Sequence, residues 1–229
     1  MDLAQQFLVV EQIQRLAQRR RAAAFAIAVL HAQRAAEDLQ DVSVIAPHAA
    51  QGKLGGLDAL ARGAEALGEL TKNYKTIAIA GAHGKSTTTA LVGLMLLEAG
   101  FDPTIIVGTK LKEFGNSNFR KGKLGWLVLE ADEFHGSFLH YAPFAAIVTN
   151  IDREHLEFYK TFGNIKKAFR TFISQVKMGG HLVLNREDKN LTSLKLKIRT
   201  NIAYCNRKGA RAAKVKSLLR IPGAHNHSN

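Results

Sequence analysis

The sequence predicts an α/β fold: a P-loop type, mainly parallel sheet with helices on both faces, preceded by a mostly helical N-terminal segment. Two observations predict it. From Tyr74 onward, apolar strand-like runs alternate with amphipathic helical segments, which is typical of a parallel sheet covered on both faces. The first strand also runs directly into a glycine-rich turn and a helix. Ligands are therefore expected at the carboxyl ends of the strands.

Two helices and six strands are predicted in this region. The helices span about 86–99 and 162–178, and each is followed by glycine. In the second helix, Ile165, Phe169 and Phe172 belong to one apolar stripe at helical spacing. The predicted strands span residues 76–80, 104–107, 124–130, 145–150, 181–184 and 201–204.

The first 63 residues differ in composition from the remainder. They hold six Arg and one Lys, whereas the remainder holds eight Arg and seventeen Lys. Apolar residues spaced three and four apart predict a helix over about 3–39. Two interpretations stay open: a helical extension, or a segment foreign to the rest through fusion, rearrangement or a shifted reading frame. We predict an atypical, mostly helical N-terminal segment over 1–70 and a separate domain over 71–229.

Composition excludes several classes of protein. With 46% hydrophobic and 22% charged residues in 229, the chain is expected to be globular, neither disordered nor collagen-like. Cys205 is the single cysteine, so a reducing cytoplasm is the expected compartment. No apolar run approaches the ~20 residues of a membrane span, so no membrane insertion is expected. The net charge of +13 suits nucleic acid or small phosphorylated ligands, and charge alone decides neither.

A glycine-rich turn follows the first strand. It reads Gly81-Ala82-His83-Gly84-Lys85-Ser86-Thr87-Thr88. Glycines let backbone N–H groups converge on phosphate oxygens, and the helix N-terminus adds partial positive charge. Lys85 is then placed to reach the outer phosphates and Ser86 to bind magnesium. The strict P-loop pattern requires a glycine where this chain has Ile79, but the shorter Gly-x-x-Gly-Lys-Ser form lies between strand and helix as required. Residues 81–87 are therefore predicted to bind a nucleotide.

Polar side chains follow two further strands. The strand over 124–130 ends in Glu130-Ala131-Asp132-Glu133, where a magnesium ligand belongs beside a phosphate loop. The strand over 145–150 is followed by His155. Taken alone, acidic loop residues are often only solvated, and a single histidine is seldom a ligand. Because both groups follow strands of one sheet, both can face the same phosphates.

Four stretches of the chain together carry a family resemblance. They are residues 81–88, residues 130–133 with Ser137-Phe138-Leu139 after them, Asn150-Ile151 with His155-Leu156, and Pro222-Gly223-Ala224-His225-Asn226-His227-Ser228-Asn229. In this order and spacing they resemble the Mur ligases of peptidoglycan synthesis. The resemblance covers about residues 64–229. A complete Mur ligase also has an N-terminal domain that grips the UDP moiety and a C-terminal domain that closes over ATP, so a truncated form is expected.

The resemblance implies a ligase that uses ATP and magnesium. ATP would phosphorylate the lactyl carboxylate of UDP-N-acetylmuramate, and the amine of L-alanine would then attack the acyl phosphate. Lys85 would stabilise the transferring phosphoryl group, Ser86 and Glu130 would hold one magnesium ion, and Glu130 and His155 a second. The implied nucleotide contacts near the C-terminus are His225, Asn226 and Asn229. Candidate contacts of the sugar nucleotide are Asn116, Ser117 and Asn118, in a polar loop over 115–120 that is equally an ordinary surface loop, and Asn150.

Alternatives and departures accompany this resemblance. Ala82 stands where the family commonly has threonine, and Phe134-His135 replaces a more usual polar and acidic pair. A sister ligase that adds another amino acid or a peptide to the same sugar nucleotide is the nearest alternative, and a nucleotide-binding module without catalysis is another. A nucleic-acid-binding role is suggested by the charge and by the basic run over 207–216. That run lacks interleaved aromatic residues, so no nucleic-acid partner is predicted.

Overall fold

The computed structural model describes residues 57–205, with side chains from residue 63 onward. The strands are β1 (Lys75–Ala80), β2 (Thr104–Leu111), β3 (Ser117–Arg120), β4 (Trp126–Glu130), β5 (Ala145–Val148), β6 (His181–Asn185) and β7 (Asn201–Cys205). The helices are α1 (Leu57–Asn73), α2 (Lys85–Glu98), α3 (Leu156–Tyr159), α4 (Phe162–Ser174) and α5 (Lys189–Thr192), with 3₁₀-helices at Lys112–Phe114 and Phe134–His140.

The seven strands form one sheet in the order β3-β2-β4-β1-β5-β6-β7. All neighbouring pairs are parallel except β2 and β3, which are antiparallel. β1 lies in the centre, so the turn that follows it emerges between the ends of β4 and β5. The predicted parallel sheet is confirmed.

Both faces of the sheet are buried, and β1 shows how its residues alternate between them. Ile77 and Ile79 pack with Val92 and Leu96 of α2 on one face. Ala78 and Ala80 point to the opposite face, where α1, α4 and the 3₁₀-helix at Phe134–His140 pack. The predicted apolar stripe of α4 is confirmed on this face, since Ile165, Phe169 and Phe172 are each at most 1% exposed. Helices therefore cover both faces, as predicted.

Several predicted bounds were wrong. The strand predicted over 104–107 continues to Leu111, and the strand predicted over 124–130 begins at Trp126. The helix predicted over 162–178 ends at Ser174, because the N–H groups of Gln175 and Val176 bond three residues back and tighten its last turn. The strand predicted over 145–150 ends at Val148, because the next two residues turn to the glycine-rich loop after β1. The polar segment over 115–120 was predicted to be a loop, but four of its residues form β3 against β2.

Helix α1 crosses the boundary predicted at residue 70/71 and packs on the sheet domain. Thr71 Oγ1 accepts a hydrogen bond from the Ala142 N–H at 2.9 Å and donates to the Gly68 carbonyl. Lys177 Nζ lies 3.3 Å from the carbonyl oxygens of Thr71 and Lys72, in the last turn of the helix. The helix predicted over about 3–39 lies outside the described residues. Within residues 57–205, no helix combines the length and apolar character needed to cross a bilayer.

Candidate functional site

The turn after β1, called the phosphate loop here (residues 81–88), leads directly into α2. Gly81 and Gly84 have φ values of 139° and 77°, a region that side chains with a Cβ rarely adopt. A Cβ on Gly81 would also overlap Thr149 Oγ1. Gly84 is the N-cap of α2, and within the described residues no side chain caps this end. The first backbone N–H groups of α2 are therefore left for an anion.

Thr149 and Asn150, which directly follow β5, hold this loop in place. The Asn150 amide makes two hydrogen bonds to the backbone of His83: Oδ1 accepts from the N–H at 2.8 Å, and Nδ2 donates to the carbonyl at 3.0 Å. Thr149 Oγ1 donates to the same carbonyl at 2.7 Å. The loop is thus tied to the neighbouring strand before any ligand binds. Asn150 was predicted to contact the sugar nucleotide; its side chain lies against the phosphate loop, and the substrate contact stays a prediction.

Lys85 points back under the loop into a group of carboxylates. Its Nζ donates to Glu133 Oε2 at 3.0 Å, lies 3.3 Å from the Ala82 carbonyl and lies 3.7 Å from Asp132 Oδ1. Burial alone would lower the pKa of Lys85, but the Glu133 and Asp132 carboxylates outweigh it and raise that pKa above its ordinary value. The ammonium therefore stays protonated at neutral pH.

Glu133 is the buried partner of this ion pair. Its side chain is 2% exposed, and burial raises the pKa of its carboxyl in spite of the nearby Lys85. Tyr159, from α3, donates its hydroxyl proton to the Glu133 backbone carbonyl. Sequence reasoning placed Glu133 in an acidic run without giving it a role. The apolar pattern of β4 could not reveal that Glu133, the third residue after the strand, turns inward.

Glu130 lies at the end of β4, beside Ile79 of β1 in the sheet register. Its Oε1 accepts from Ser86 Oγ at 2.9 Å, and its Oε2 accepts from the Gly108 N–H at 2.6 Å. The predicted pair of Ser86 and Glu130 is therefore adjacent in the structure. Gly108, which the sequence analysis missed, allows this contact, because a Cβ there would crowd the carboxylate.

The oxygen spacing of this pair fits magnesium. Mg²⁺ binds oxygen in octahedral geometry at about 2.0–2.1 Å, so neighbouring ligand atoms lie about 2.9 Å apart. Ser86 Oγ and Glu130 Oε1 are separated by 2.9 Å. The two residues can thus serve as neighbouring ligands of one ion once the serine hydroxyl hydrogen turns away.

His155 follows β5 and reaches a different pair of carboxylates. It has a φ of 55°, and its Nδ1 lies 3.3 Å from Glu157 Oε1. One ligand atom from each of Asp132, Glu133 and His155 lies within 4.8 Å of the others. We call these three residues the carboxylate–histidine group. In the part of the chain that the structure describes, this is the one group of three or more such side chains at that spacing.

The ring of Phe134 packs on His155 where the chain departs from the family pattern. The ring centroid of Phe134 lies 4.9 Å from that of His155 and 4.2 Å from that of His135. His135, at a φ of 50°, packs in turn on Phe158. Phe134 and His135 therefore form a cluster of aromatic rings with Phe158, and this cluster contacts the His155 imidazole through Phe134.

The remaining predicted residues lie away from this centre or outside the described range. Ser117 and Asn118 belong to β3, the edge strand three positions from β1, and Asn116 precedes it. Their contact with a sugar nucleotide stays a prediction. His83 and Thr87 are exposed at the loop, with His83 Nε2 3.4 Å from Asp152 Oδ2. His225, Asn226 and Asn229 lie outside the described residues.

Comparisons with known proteins point to one family. The family model described as the Mur ligase middle domain matches residues 79–229. UDP-N-acetylmuramate–L-alanine ligase of Aquifex aeolicus is 42% identical over 149 residues, covering 65% of this chain and 32% of the relative. The ligase of the same name from Desulforapulum autotrophicum is 47% identical over 131 residues, covering 57% and 28%. The chain thus spans about a third of the length of the curated relatives it matches.

Solved structures agree with the sequence relatives. A Neisseria meningitides UDP-N-acetylmuramate:L-alanyl-gamma-D-glutamyl-meso-diaminopimelate ligase matches with a TM-score of 0.56 and 25% identity, covering 62% of this chain and 49% of its own. A Thermotoga maritima UDP-N-acetylmuramate–alanine ligase matches with a TM-score of 0.51 and 28% identity, covering 58% and 30%. Because the family match covers more than half of its residues, this chain belongs to the Mur ligase family, through the middle domain.

Proposed function

We propose that the chain carries the ATP-binding centre of a ligase that joins L-alanine to UDP-N-acetylmuramate in peptidoglycan synthesis. The observation that carries the proposal is the placement of the half-buried Lys85 ammonium between the phosphate loop and three carboxylates at the carboxyl end of the sheet. Relatives 40–47% identical to this chain bear the name of that ligase. The substrates are therefore proposed from the relatives, and the ATP chemistry from the site.

The proposed reaction has two steps. An oxygen of the lactyl carboxylate attacks the γ-phosphorus of ATP, and the bond to the bridging oxygen breaks, giving an acyl phosphate and ADP. The neutral amine of L-alanine then attacks the acyl carbon, and inorganic phosphate leaves as the amide forms and the nitrogen loses a proton. Neither step needs a protein nucleophile, so the protein has to position the reactants and balance their charge.

The residues of the site suit those tasks. The unpaired N–H groups at the start of α2 bind phosphate oxygens, and Lys85 neutralises charge that develops on the transferring phosphoryl group. Ser86 and Glu130 would hold magnesium, which neutralises the phosphate charge when bound. Glu130 and His155 are proposed as ligands of a second ion, and one ligand atom of His155 lies within 4.8 Å of ligand atoms of Asp132 and Glu133.

Substrate contacts complete the proposal. We assign Asn116, Ser117, Asn118 and Asn150 to the sugar nucleotide, and His225, Asn226 and Asn229 to the nucleotide base, from the family resemblance. A reaction that consumes ATP and a UDP-sugar belongs in the cytoplasm and supports cell-wall growth, and with it cell shape and division. The phosphate-loop residues 81–87 are assigned to the ATP phosphates.

The test is product formation by the purified full chain. ADP and phosphate release are measured with MgATP and UDP-N-acetylmuramate, with and without L-alanine, and the amide product is identified by mass spectrometry. Release that depends on L-alanine supports the proposal. Lys85→Ala should lower it by at least about 100-fold, whereas Lys121→Ala, at an exposed position, should leave it unchanged.

Two further outcomes separate the alternatives. Turnover with the peptide L-alanyl-γ-D-glutamyl-meso-diaminopimelate in place of L-alanine would assign a sister activity, the one named for the Neisseria meningitides relative. ATP binding without turnover under any of these conditions would refute ligation by this chain and leave a nucleotide-binding module.

A further inference from the structure

The positive charge of the described domain is concentrated in one part of it. Residues 63–159 hold nine Lys or Arg and eleven Asp or Glu, so they are close to neutral. Residues 160–205 hold ten Lys or Arg and two acidic residues, Glu187 and Asp188. This second range contains α4, β6, α5 and β7, and therefore belongs to the side of the sheet that ends in β7. The proposed ATP chemistry, centred on the turn after β1, does not explain this excess.

Six of these cations lie on two neighbouring segments, α4 and the stretch between α5 and β7. In that stretch, Leu196 and Ile198 alternate with exposed cations and pack against the same apolar core as α4. Lys166 Nζ, on α4, donates to Ser193 Oγ at 3.2 Å and so joins the two segments. We call the six residues the basic face: Lys166, Lys167, Arg170, Lys195, Lys197 and Arg199.

Nearby acidic side chains do not neutralise the basic face. Within the residues that the structure describes, none of its six cations forms an ion pair. Asp188 caps α5, where its Oδ1 accepts from the Leu191 N–H at 2.7 Å. Like charges that stay unpaired repel one another, and a polyanionic partner relieves that repulsion.

Two exposed apolar side chains border the basic face. Ile202 and Tyr204 of β7 are 41% and 48% exposed. They lie in register with Leu182 and Leu184 of β6, so they point to the face of the sheet on which α4 packs. Arg186 adds a further cation here, with its Cζ 5.9 Å from the Tyr204 ring centroid.

We propose that the basic face, together with Ile202 and Tyr204, binds the surface of an anionic phospholipid bilayer. Clusters of about four to eight Lys or Arg are typical of surfaces that bind anionic lipid. An aliphatic side chain can bury itself at the boundary of headgroups and acyl chains, and tyrosine suits the same depth because its hydroxyl stays hydrated. The binding is peripheral and reversible. It goes beyond the proposed function and does not depend on it.

The same observations favour lipid over nucleic acid. Four of the six cations are lysines, which act as point charges and do not form the bidentate phosphate contacts of arginine. Proteins that bind single strands stack bases on aromatic rings, and isoleucine offers no such ring. A bilayer requires only that cations and apolar side chains share one surface.

The test is co-sedimentation of the full chain with vesicles of phosphatidylcholine alone, or of an equal mixture of phosphatidylcholine and phosphatidylglycerol. The chain should bind the mixed vesicles at low salt and should not bind the neutral ones. Its affinity should fall as sodium chloride is added, because salt screens exposed charges. The triple variant Lys195→Gln/Lys197→Gln/Arg199→Gln should bind the mixed vesicles at least about tenfold more weakly than wild type.

A matched control removes the same charge from another surface. Lys110→Gln/Lys112→Gln/Lys121→Gln changes three exposed lysines in and beside the β2–β3 hairpin. This variant should bind the mixed vesicles within about twofold of wild type, because the attraction falls off within a Debye length of the bilayer. The two triple variants together separate a local surface from the attraction of any basic chain to anionic lipid.

Two further variants test the remaining parts of the surface. Lys166→Gln/Lys167→Gln/Arg170→Gln, on α4, should weaken binding as the first triple variant does, and glutamine is a good helix former. Ile202→Thr/Tyr204→Thr should weaken binding by at least about threefold without changing its salt dependence. Circular dichroism establishes that each variant is folded. If the variant at 195–199 does not fold, the α4 variant carries the test.

Three outcomes would overturn the proposal. These are no binding to the mixed vesicles, equal binding by the basic-face variants and the hairpin variant, and binding of labelled single-stranded DNA in place of vesicles. The last outcome would assign the basic face to a nucleic acid. The ligase assay without vesicles tests the proposed function separately, because the basic face holds none of the residues assigned to ATP or to the substrates.

Discussion

Gly81 is the residue on which the shape of the phosphate loop most directly depends. Its φ of 139° and its close approach to Thr149 Oγ1 both exclude a Cβ. We expect Gly81→Ala to lower the free energy of unfolding by about 3 kcal/mol, because backbone strain adds to steric overlap. Urea unfolding of the purified variant measures it, and ADP affinity should fall along with stability.

Gly163→Ala is the control for that substitution. Gly163 lies in the first turn of α4, where a Cβ would meet Thr161 Oγ1 at an ordinary 3.7 Å. Alanine in a helix is favoured over glycine by about 0.5–1 kcal/mol, so this variant should be slightly more stable than wild type. Equal effects of the two substitutions would contradict the steric explanation for Gly81.

At the scale of single residues, the sequence predicted which side chains lie near the phosphate loop. It predicted less well which atoms each of these side chains contacts. Ser86 and Glu130 were predicted as a pair and lie 2.9 Å apart. The partners of Lys85 were not predicted. A run of acidic residues after a strand does not reveal which carboxylate turns inward, because that depends on the 3₁₀-helix that follows and on Tyr159 from α3.

At the scale of elements, periodicity identified the long and buried segments and missed the short polar one. The parallel strands and the two major helices were predicted because continuous apolar runs and apolar residues at helical spacing indicate burial. β3 has no such repeat: its four residues are all half-buried at the sheet edge. What forms it is pairing with β2, which brings Arg120 opposite Ile105. A tertiary pairing of this kind cannot be read from the local sequence.

The hairpin of β2 and β3 is fastened by an ion pair whose strength should depend on pH. Arg120 donates to Asp102 Oδ1 at 2.6 Å and to the Pro103 carbonyl at 2.9 Å. The hydrogen bond from Arg120, more than its charge, lowers the pKa of Asp102 below the ordinary 3.8. A carboxyl with a lowered pKa in the folded state stabilises the fold above 3.8. That contribution to stability is lost as the pH falls through the pKa of the Asp102 carboxyl in the folded state.

Asp102→Asn tests this, since asparagine tolerates the φ of 39° at this position. It removes the charge and one of the two acceptor oxygens, which bind Arg120 and the Lys123 N–H. The difference in unfolding free energy between wild type and variant should be largest near neutral pH and shrink below about pH 4. Urea unfolding from about pH 7 to about pH 3 measures it. In a double-mutant cycle, the coupling with Arg120→Gln should shrink over the same range, and a constant coupling would contradict the ion-pair explanation.

At the scale of the whole molecule, the proposed nucleotide site and the core are one structure. The phosphate loop is held by β1, β5 and α2, and residues of these elements also form the buried core on both faces. Ligand that binds only the folded loop must therefore stabilise the entire described domain. Because this stabilisation requires binding and no turnover, it measures nucleotide binding independently of ligation.

We expect MgADP to raise the unfolding temperature of the full chain. Ligand at 100 times its dissociation constant adds about 2.7 kcal/mol to the folded state, a shift that circular dichroism or dye-based melting resolves. AMP should give a smaller shift, because the N–H groups at the start of α2 and the Lys85 ammonium act on the outer phosphates. Lys85→Ala should reduce the MgADP shift toward that of AMP, whereas Lys121→Ala should retain it. Equal shifts from ADP and AMP would mean that the loop and Lys85 do not bind the outer phosphate. The assignment of residues 81–87 to the ATP phosphates would then fail, whatever the result of the ligase assay.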